Sequence, residues 1–161
     1  MQRPIRKHPR LKDYDYSQDG AYFVTLCSKE KAKIFCRIVG RDDPGAPPCT
    51  QLTDAGRVVD KYIQSIPTAY KDVELDKYVV MPNHIHLLLS ISAPSGAPRS
   101  SRPTISRVIG ALKRFTNKDA DKDLWQTTFH DHIIRDEQDY LACWQYINDN
   151  PAKWTEDKYF V

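Results

Sequence analysis

Hydrophobic and polar positions predict strands in two parts of the chain. "AYFVTLCS", residues 21–28, is rich in aromatic and β-branched residues, which is typical of a strand. "VELDKYVVMPNHIHLLLSI", residues 73–91, is longer than one ordinary strand and is interrupted by Pro82 and Asn83. Proline cannot donate to a ladder and asparagine tolerates turn conformations. The second stretch therefore predicts two antiparallel strands joined at that pair.

Hydrophobic residues recur at helical spacing in three stretches: 53–67, 104–118 and 136–150. Thr53 and Thr104 stand where helix N-caps are expected, and Pro67 is expected to end the first helix. The third helix must end by Asn150, because Pro151 disfavours the helical region for the residue before it.

The segments between these elements predict the rest of the architecture. Residues 39–51 and 92–103 are rich in Pro, Gly and Ser and are interpreted as loops, and residues 124–136 as a short strand and turn. Hairpin-paired strands with helices between them indicate an α+β fold, a mainly antiparallel sheet with helices packed on it. We expect a basic N-terminal arm over residues 1–18 and a single domain over 19–161.

Composition places the chain among ordinary globular proteins. It has 161 residues, of which 40% are hydrophobic and 28% charged. No stretch reaches the ~18–20 apolar residues of a membrane span, and no apolar segment follows the basic N-terminus, so we expect no secretory signal. Four cysteines without a CxxC pair are typical of reduced thiols. These features favour a cytosolic protein.

The net charge of +3 hides an uneven distribution. Residues 1–12 carry five basic side chains and residues 99–118 carry six, which together are 11 of the 24, and neither segment holds an acid. The rest of the chain is net acidic. Concentrated basic segments favour a polyanionic partner, with nucleic acid first in line. Charge alone equally allows a solvated helix face and a solvated tail.

His84 and His86 are the first candidates for chemistry. Side chains alternate along a strand, so the two imidazoles share a face about 6.5–7 Å apart and can converge on one metal ion. The opposite face is expected to be the core side: Ile85, Leu87 and Leu89. Because the histidine face continues with Leu88 and Ser90, it need not be fully buried. A structural or surface histidine pair is the alternative.

A two-histidine site needs a third ligand. Cys27 on the first strand would favour zinc, whereas an oxygen ligand would favour Mg²⁺ or Mn²⁺ holding a phosphate. Tyr146 and Asn150 lie four residues apart on the last helix and therefore share a face. They could reach a site at the boundary of helix and sheet. Alternatively, Tyr146 is a packing residue and Asn150 a helix C-cap.

"VMPNHIHLLL" followed by "HIIRDEQDYLACWQYINDNPAKW" resembles the HUH single-tyrosine transposases, most closely the REP-associated tyrosine transposases. The resemblance covers roughly residues 13–154 and implies a ferredoxin/RRM-like HUH nuclease fold. It implies that His84 and His86 are metal ligands, Tyr146 the nucleophile and Asn150 the third ligand. Related transposases often have glutamine at the position of Asn150, so direct ligation by this shorter amide departs from the family pattern.

The resemblance also suggests where DNA is bound. The family has a basic helix where this chain has residues 104–118, and the expected phosphate contacts come from that helix and the N-terminal arm: Arg107, Lys113, Arg114, Arg6, Lys7 and Arg10. His132 and Arg135 match a family pattern without an assigned role. His130 is interpreted as a surface histidine.

The implied function is a metal-dependent endonuclease and strand transferase of single-stranded DNA. It would act at REP-like hairpins through a 5′-phosphotyrosine intermediate, with Mg²⁺ or Mn²⁺ and without a nucleotide triphosphate. The resemblance also implies a monomer or a homodimer in the bacterial cytoplasm, in association with the nucleoid. Two alternatives stay open: a non-catalytic regulator that binds DNA hairpins, and a small zinc hydrolase that uses His84, His86 and Cys27.

Overall fold

The computed structural model describes residues 19–40, 48–92, 96, 98 and 102–161. The strands are β1 Gly20–Cys27, β2 Cys36–Val39, β3 Cys49–Leu52, β4 Val73–Val80, β5 His84–Ile91 and β6 His130–Ile133. The main helices are α1 Asp54–Gln64, α2 Ile66–Ala69, α3 Ile105–Ala120 and α4 Glu137–Asp149. Within these ranges, no helix combines the length and the apolar character needed to cross a membrane. The arm residues Arg6, Lys7 and Arg10 lie outside the described residues.

Four strands form an antiparallel sheet in the order β4-β5-β1-β6. Strands β4 and β5 form the hairpin that Pro82 and Asn83 predicted, with Val80 paired to Ile85. Strand β1 pairs with β5 along its whole length, from Gly20 opposite Ile91 to Cys27 opposite His84. With helices packed on this sheet, the predicted α+β class is confirmed.

The two faces of the sheet have different coverings. One face is apolar and forms the core with helices α1 and α3, through residues that include Val24 and Leu87 in the sheet, Ile63 in α1 and Val108 in α3. The other face is covered in part by α4. There Lys77 Nζ donates to Asn148 Oδ1 (3.2 Å), and the Tyr140 hydroxyl donates to Asp76 Oδ2 (2.8 Å). His84 and His86 belong to this second face.

The predicted helix caps are present. The Thr53 hydroxyl accepts from Gly56 N at 3.0 Å, and the Thr104 hydroxyl accepts from Arg107 N at 3.2 Å. The prediction that Pro67 ends the first helix was wrong in detail. Helix α1 already ends at Gln64, and Pro67 lies in the first turn of the short helix α2, where its missing N–H has no intrahelical partner to lose.

The predicted loop over residues 39–51 was also wrong in part. Strand β3 starts at Cys49 and pairs with β2 as a separate two-stranded sheet, with Cys36 opposite Leu52. These four-residue strands are too short to show alternation in the sequence. Their placement depends on a close approach to α1: a Cβ on Gly56 would lie 1.8 Å from the carbonyl oxygen of Phe35.

Candidate metal centre and active site

The two histidines are buried at the centre of the molecule. Their ring centroids lie 4.6 Å apart, and neither side chain is open to solvent. The sequence left the extent of burial of this face open, and the structure buries both side chains. The C-terminal segment folds back over this face, with the ring of Tyr159 4.5 Å and the ring of Trp154 5.9 Å from that of His84.

One nitrogen of each imidazole is held by a neighbouring side chain. His84 Nδ1 lies 2.8 Å from Asn83 Oδ1, and the Asn83 amide nitrogen donates to the Tyr159 carbonyl at 2.8 Å. The Asn83 oxygen therefore accepts from His84, which leaves the lone pair on Nε2. His86 Nδ1 lies 2.8 Å from Thr25 Oγ1. Such partners fix the ring orientation of metal-ligating histidines.

Three buried atoms at this point have no hydrogen-bond partner among the residues that the structure describes: His84 Nε2, His86 Nε2 and Asn150 Oδ1. Leaving a buried polar atom unsatisfied costs about 1–3 kcal/mol, and folded proteins rarely tolerate it. His84 Nε2 and Asn150 Oδ1 offer a lone pair, and so does His86 Nε2 in the tautomer whose Nδ1–H donates to Thr25. All three atoms belong to the residues proposed from the sequence as ligands. Their arrangement fits a divalent cation bound between helix α4 and strand β5.

Asp157 is a further candidate ligand that the sequence did not suggest. Its side chain is fully buried, its Oδ2 lies 3.6 Å from His84 Nε2, and it accepts a hydrogen bond from Asn150 Nδ2 at 2.7 Å. Donor atoms of His84, His86 and Asp157 all lie within 4.8 Å of one another. A carboxylate and an amide oxygen beside two imidazoles form a donor set that suits Mn²⁺ or Mg²⁺ better than a thiolate set would.

Burial keeps both imidazoles neutral. It lowers the pKa of His84 to about 4, although the negative charge of Asp157 and the Asn150 amide act to raise it. Burial also lowers the pKa of His86 well below its usual value, and the neighbouring His84 adds to this effect. Neutral imidazoles at pH 7 are the form that binds a metal ion.

Tyr146 lies at the edge of this cluster on helix α4. Its side chain is 40% exposed, and its ring lies 5.3 Å from that of His86. Together with Asn150 and Asp157 it lines a cavity of about 520 Å³. Burial, and then the charge of Asp157, raises the pKa of the Tyr146 phenol. The phenol is thus accessible to a ligand in the cavity and protonated at neutral pH.

Cys27 faces His84 across the β1–β5 pair but does not join the donor cluster. In the described part of the chain, its Sγ is not among the atoms that come within 4.8 Å of one another around the two histidines. Burial raises the pKa of its thiol, which opposes the thiolate that zinc requires.

The residues predicted to bind DNA on α3 are distant from the histidines in the fold. Arg107 and Arg114 are exposed on this helix, whose apolar side packs on the opposite face of the sheet. Lys113 is engaged within the chain, because its Nζ donates to the carbonyl oxygen of Gln126 at 2.7 Å and reaches those of the next two residues. That ammonium group fastens the segment before β6 to α3.

His132 and Arg135 come together around one carboxylate. His132 Nε2 lies 2.9 Å from both oxygens of Asp139, and the backbone N–H of Arg135 donates to Asp139 Oδ2 at 3.0 Å. Strand β6 pairs with β1 so that His132 lies opposite Phe23, on the same face of the sheet as His84 and His86. Of the two residues, His132 is the one directed toward this face.

Comparisons with known proteins identify relatives of this chain. No protein-family model matches the chain. An uncharacterized protein of Haemophilus influenzae is 32% identical over an alignment of 175 residues, covering 97% of this chain and 93% of that protein. Another H. influenzae protein, provisionally named a REP-associated tyrosine transposase, is 26% identical over 86% of this chain and 74% of its own length.

Two further comparisons agree. The REP-associated tyrosine transposase of Escherichia coli is 32% identical over 80 residues, half of this chain and 45% of that protein. The solved structure of a REP-associated tyrosine transposase bound to a REP hairpin superposes with a TM-score of 0.65 at 21% identity, over 92% of this chain and 76% of that one, and has the same fold. The chain is thus similar in sequence to proteins named as REP-associated tyrosine transposases, and it shares the fold of a solved one.

Proposed function

We propose that this protein, a member of a DNA-processing enzyme family, cleaves and rejoins single-stranded DNA at hairpins by means of Tyr146 and a divalent metal ion. The observation that carries the proposal is the set of three buried lone pairs without partners, from His84, His86 and Asn150, beside an accessible tyrosine. Folding alone gives no reason to bury these atoms unsatisfied.

His84 Nε2, His86 Nε2 and Asn150 Oδ1 would hold Mn²⁺ or Mg²⁺, with the carboxylate of Asp157 as a fourth donor. When bound, the ion supplies positive charge that neutralises a phosphate and favours attack at its phosphorus. Asn83 and Thr25 keep the two rings in the ligating orientation through their Nδ1 atoms.

Tyr146 would act as the nucleophile. Its hydroxyl oxygen forms a bond to phosphorus, the bond from phosphorus to the 3′ oxygen breaks, and the phenol loses its proton while the leaving oxygen gains one. The products are a 5′-phosphotyrosine and a free 3′-hydroxyl, and attack by a second 3′-hydroxyl reverses the reaction. The raised pKa of Tyr146 means that the phenol is protonated at neutral pH before substrate binds.

The proposal of a hairpin substrate is supported by the solved relative, which is bound to a REP hairpin. In this chain, Arg107 and Arg114 are two exposed basic residues of α3 that could contact the phosphates of a stem. The same proposal includes phosphate contacts from an arm over residues 1–18, through Arg6, Lys7 and Arg10. It also includes a single domain over residues 19–161, a monomeric or homodimeric state and a cytoplasmic location.

The two alternative functions have less support. A hairpin-binding regulator without catalysis would have no use for unsatisfied lone pairs beside a tyrosine. A zinc hydrolase built on Cys27 would need a thiolate at a position where burial raises the thiol pKa.

Formation of a covalent adduct tests the proposal. The protein is incubated with Mn²⁺ and a hairpin that carries single-stranded flanks, and adducts are separated on a denaturing gel. We expect an adduct with the wild type and none with Tyr146→Phe. Tyr140→Phe is the matched control, because Tyr140 lies on the same helix but is bonded to Asp76. An adduct with Tyr146→Phe, or no adduct with wild type while the hairpin is bound, would contradict the proposal.

A further inference from the structure

A second cavity, of about 430 Å³, lies on the histidine face of the sheet beside the candidate metal centre. Strand β6 forms one side, and the C-terminal segment, with Lys158 and Tyr159, forms the other. Phe23 and Thr25 of β1 lie on its floor. We refer to this cavity as the β6 groove.

The strand register makes the groove continuous with the metal centre. His86 lies opposite Thr25 in the β5–β1 pair, and Thr25 lies opposite His130 in the β1–β6 pair. These three side chains form one row on the same face, so His130 lies two strand spacings, roughly 10 Å, from His86. The hydrogen bond between Thr25 and His86 joins the floor of the groove to the cluster.

Two aromatic rings lie between the groove and the nucleophile. The Phe23 ring is 5.1 Å from the His86 ring and 5.9 Å from the Tyr146 ring. The Tyr159 ring, on the opposite wall, is 4.5 Å from that of His84. A strand whose phosphate reaches Tyr146 can therefore continue over Phe23 into the groove, where unpaired bases could stack on these rings.

The groove is basic where the neighbouring cavity is not. Its lining contains Lys31, Lys158, His130 and His132 against a single acid, Asp131. The cavity next to Tyr146 instead combines two lysines with three acids: Lys153, Lys158, Asp149, Glu156 and Asp157. Both Lys31 and Lys158 are exposed. A polyanionic strand would thus find complementary charge on the β6 side of the metal centre.

We propose that the β6 groove binds the phosphates of the single-stranded DNA flank next to the scissile phosphodiester. Lys31 and Lys158 would neutralise these phosphates. This proposal rests on the proposed function, because the scissile phosphate is located by Tyr146. It separates two DNA contacts: the flank on the histidine face and the stem on α3.

Binding measurements with two DNA molecules test the groove. Fluorescence anisotropy in EDTA compares a blunt hairpin with the same hairpin carrying a single-stranded flank, over a range of salt concentrations. For Lys31→Ala/Lys158→Ala we expect about tenfold weaker binding of the flanked hairpin and an unchanged affinity for the blunt one. For the flanked hairpin, the slope of the logarithm of the binding constant against the logarithm of the salt concentration should decrease in magnitude by about 1.4. Each phosphate contact to a single strand contributes about 0.7 to this slope.

The control is Lys118→Ala/Lys122→Ala, which removes the same charge from exposed positions at the end of α3 and just beyond it. This control variant should leave the ratio of the affinities for the flanked and the blunt hairpin unchanged. The variant Lys31→Arg/Lys158→Arg, which keeps both charges, should also keep that ratio. The groove proposal would be overturned if Lys31→Ala/Lys158→Ala lost equal affinity for both hairpins. It would also be overturned if the control variant lost as much affinity for the flanked hairpin. Adduct formation tests the proposed function separately. If the groove variant loses affinity only for the flanked hairpin and the wild type forms no adduct, flank binding by the groove is retained and the nuclease function is rejected.

Discussion

Adjacent residues of strand β5 point to the two faces of the central sheet. The faces differ in whether their buried side chains have partners within the protein. On the core face, Ile85 and Leu87 pack against apolar residues of α1 and α3. On the other face, His84 and His86 are equally buried but keep nitrogens without partners. The core face is explained by folding alone. The histidine face carries a cost in folding energy, which indicates that its arrangement serves binding.

The largest expected difference between the faces is in catalysis. His86→Ala should reduce the yield of covalent adduct at least about hundredfold, because it removes a metal ligand. Leu87→Ala should leave the adduct yield of the folded fraction within a few-fold of wild type while lowering the free energy of unfolding by about 2–5 kcal/mol. Gel assays and urea denaturation measure the two quantities. Equal adduct yields from the two variants would remove the distinction between the faces.

Metal binding at the histidine face should raise the thermal stability of the protein, and the affinity for the metal should depend on Asp157. Adding Mn²⁺ to the metal-free wild type should raise its thermal midpoint, because only the folded chain brings the donors together. Asp157→Asn should weaken Mn²⁺ binding about tenfold, as measured by calorimetry. Unaltered Mn²⁺ affinity in Asp157→Asn would show that this carboxylate is not a ligand, and the three other donors would remain.

The metal-free protein should lose stability in mild acid. The folded state lowers the pKa of His84 to about 4, from about 6.5 in the unfolded chain, so the unfolded chain takes up the proton first. This contribution is fully present above pH 6.5 and declines as the pH falls to 4, by about 3 kcal/mol in total. Urea denaturation in EDTA between pH 7.5 and 4 measures it. His84→Gln should reduce the pH dependence and leave the contribution of His86, whose pKa burial also lowers. An unchanged profile would contradict the assignment.

The smallest expected effect is on α3. Arg107→Ala/Arg114→Ala should weaken hairpin binding a few-fold and lower its salt dependence, because these exposed residues would contact phosphates only. Mn²⁺ affinity should be unchanged, since α3 packs on the other face of the sheet. An altered Mn²⁺ affinity measured by calorimetry would show that the two faces are coupled.

Local spacing made part of the site predictable. His84 and His86 share a face because strands alternate, and Tyr146 and Asn150 share a face because they are about one helical turn apart. The hairpin at Pro82 and the caps of α1 and α3 followed from turn and capping chemistry in the same way. Each of these predictions uses residues within a few positions of one another.

The rest of the site depends on contacts that local patterns do not encode. Asp157 and Tyr159 lie in a C-terminal segment without periodicity, and only its return over strand β5 buries the histidines. Charge counting identified α3 as basic, but only the packing of Val108 and its neighbours shows which face of the sheet that helix covers. Lys113 could not be recognised from sequence as a residue that binds carbonyl oxygens.

The central claim is that Tyr146 attacks phosphorus beside a metal ion held by the buried face. Mass spectrometry of the protein after reaction with a flanked hairpin and Mn²⁺, followed by nuclease and protease digestion, locates the bond. We predict a nucleotide attached to the peptide that contains Tyr146, absent when EDTA replaces Mn²⁺. Attachment to another residue, such as Tyr159, or attachment that persists without metal would contradict the account.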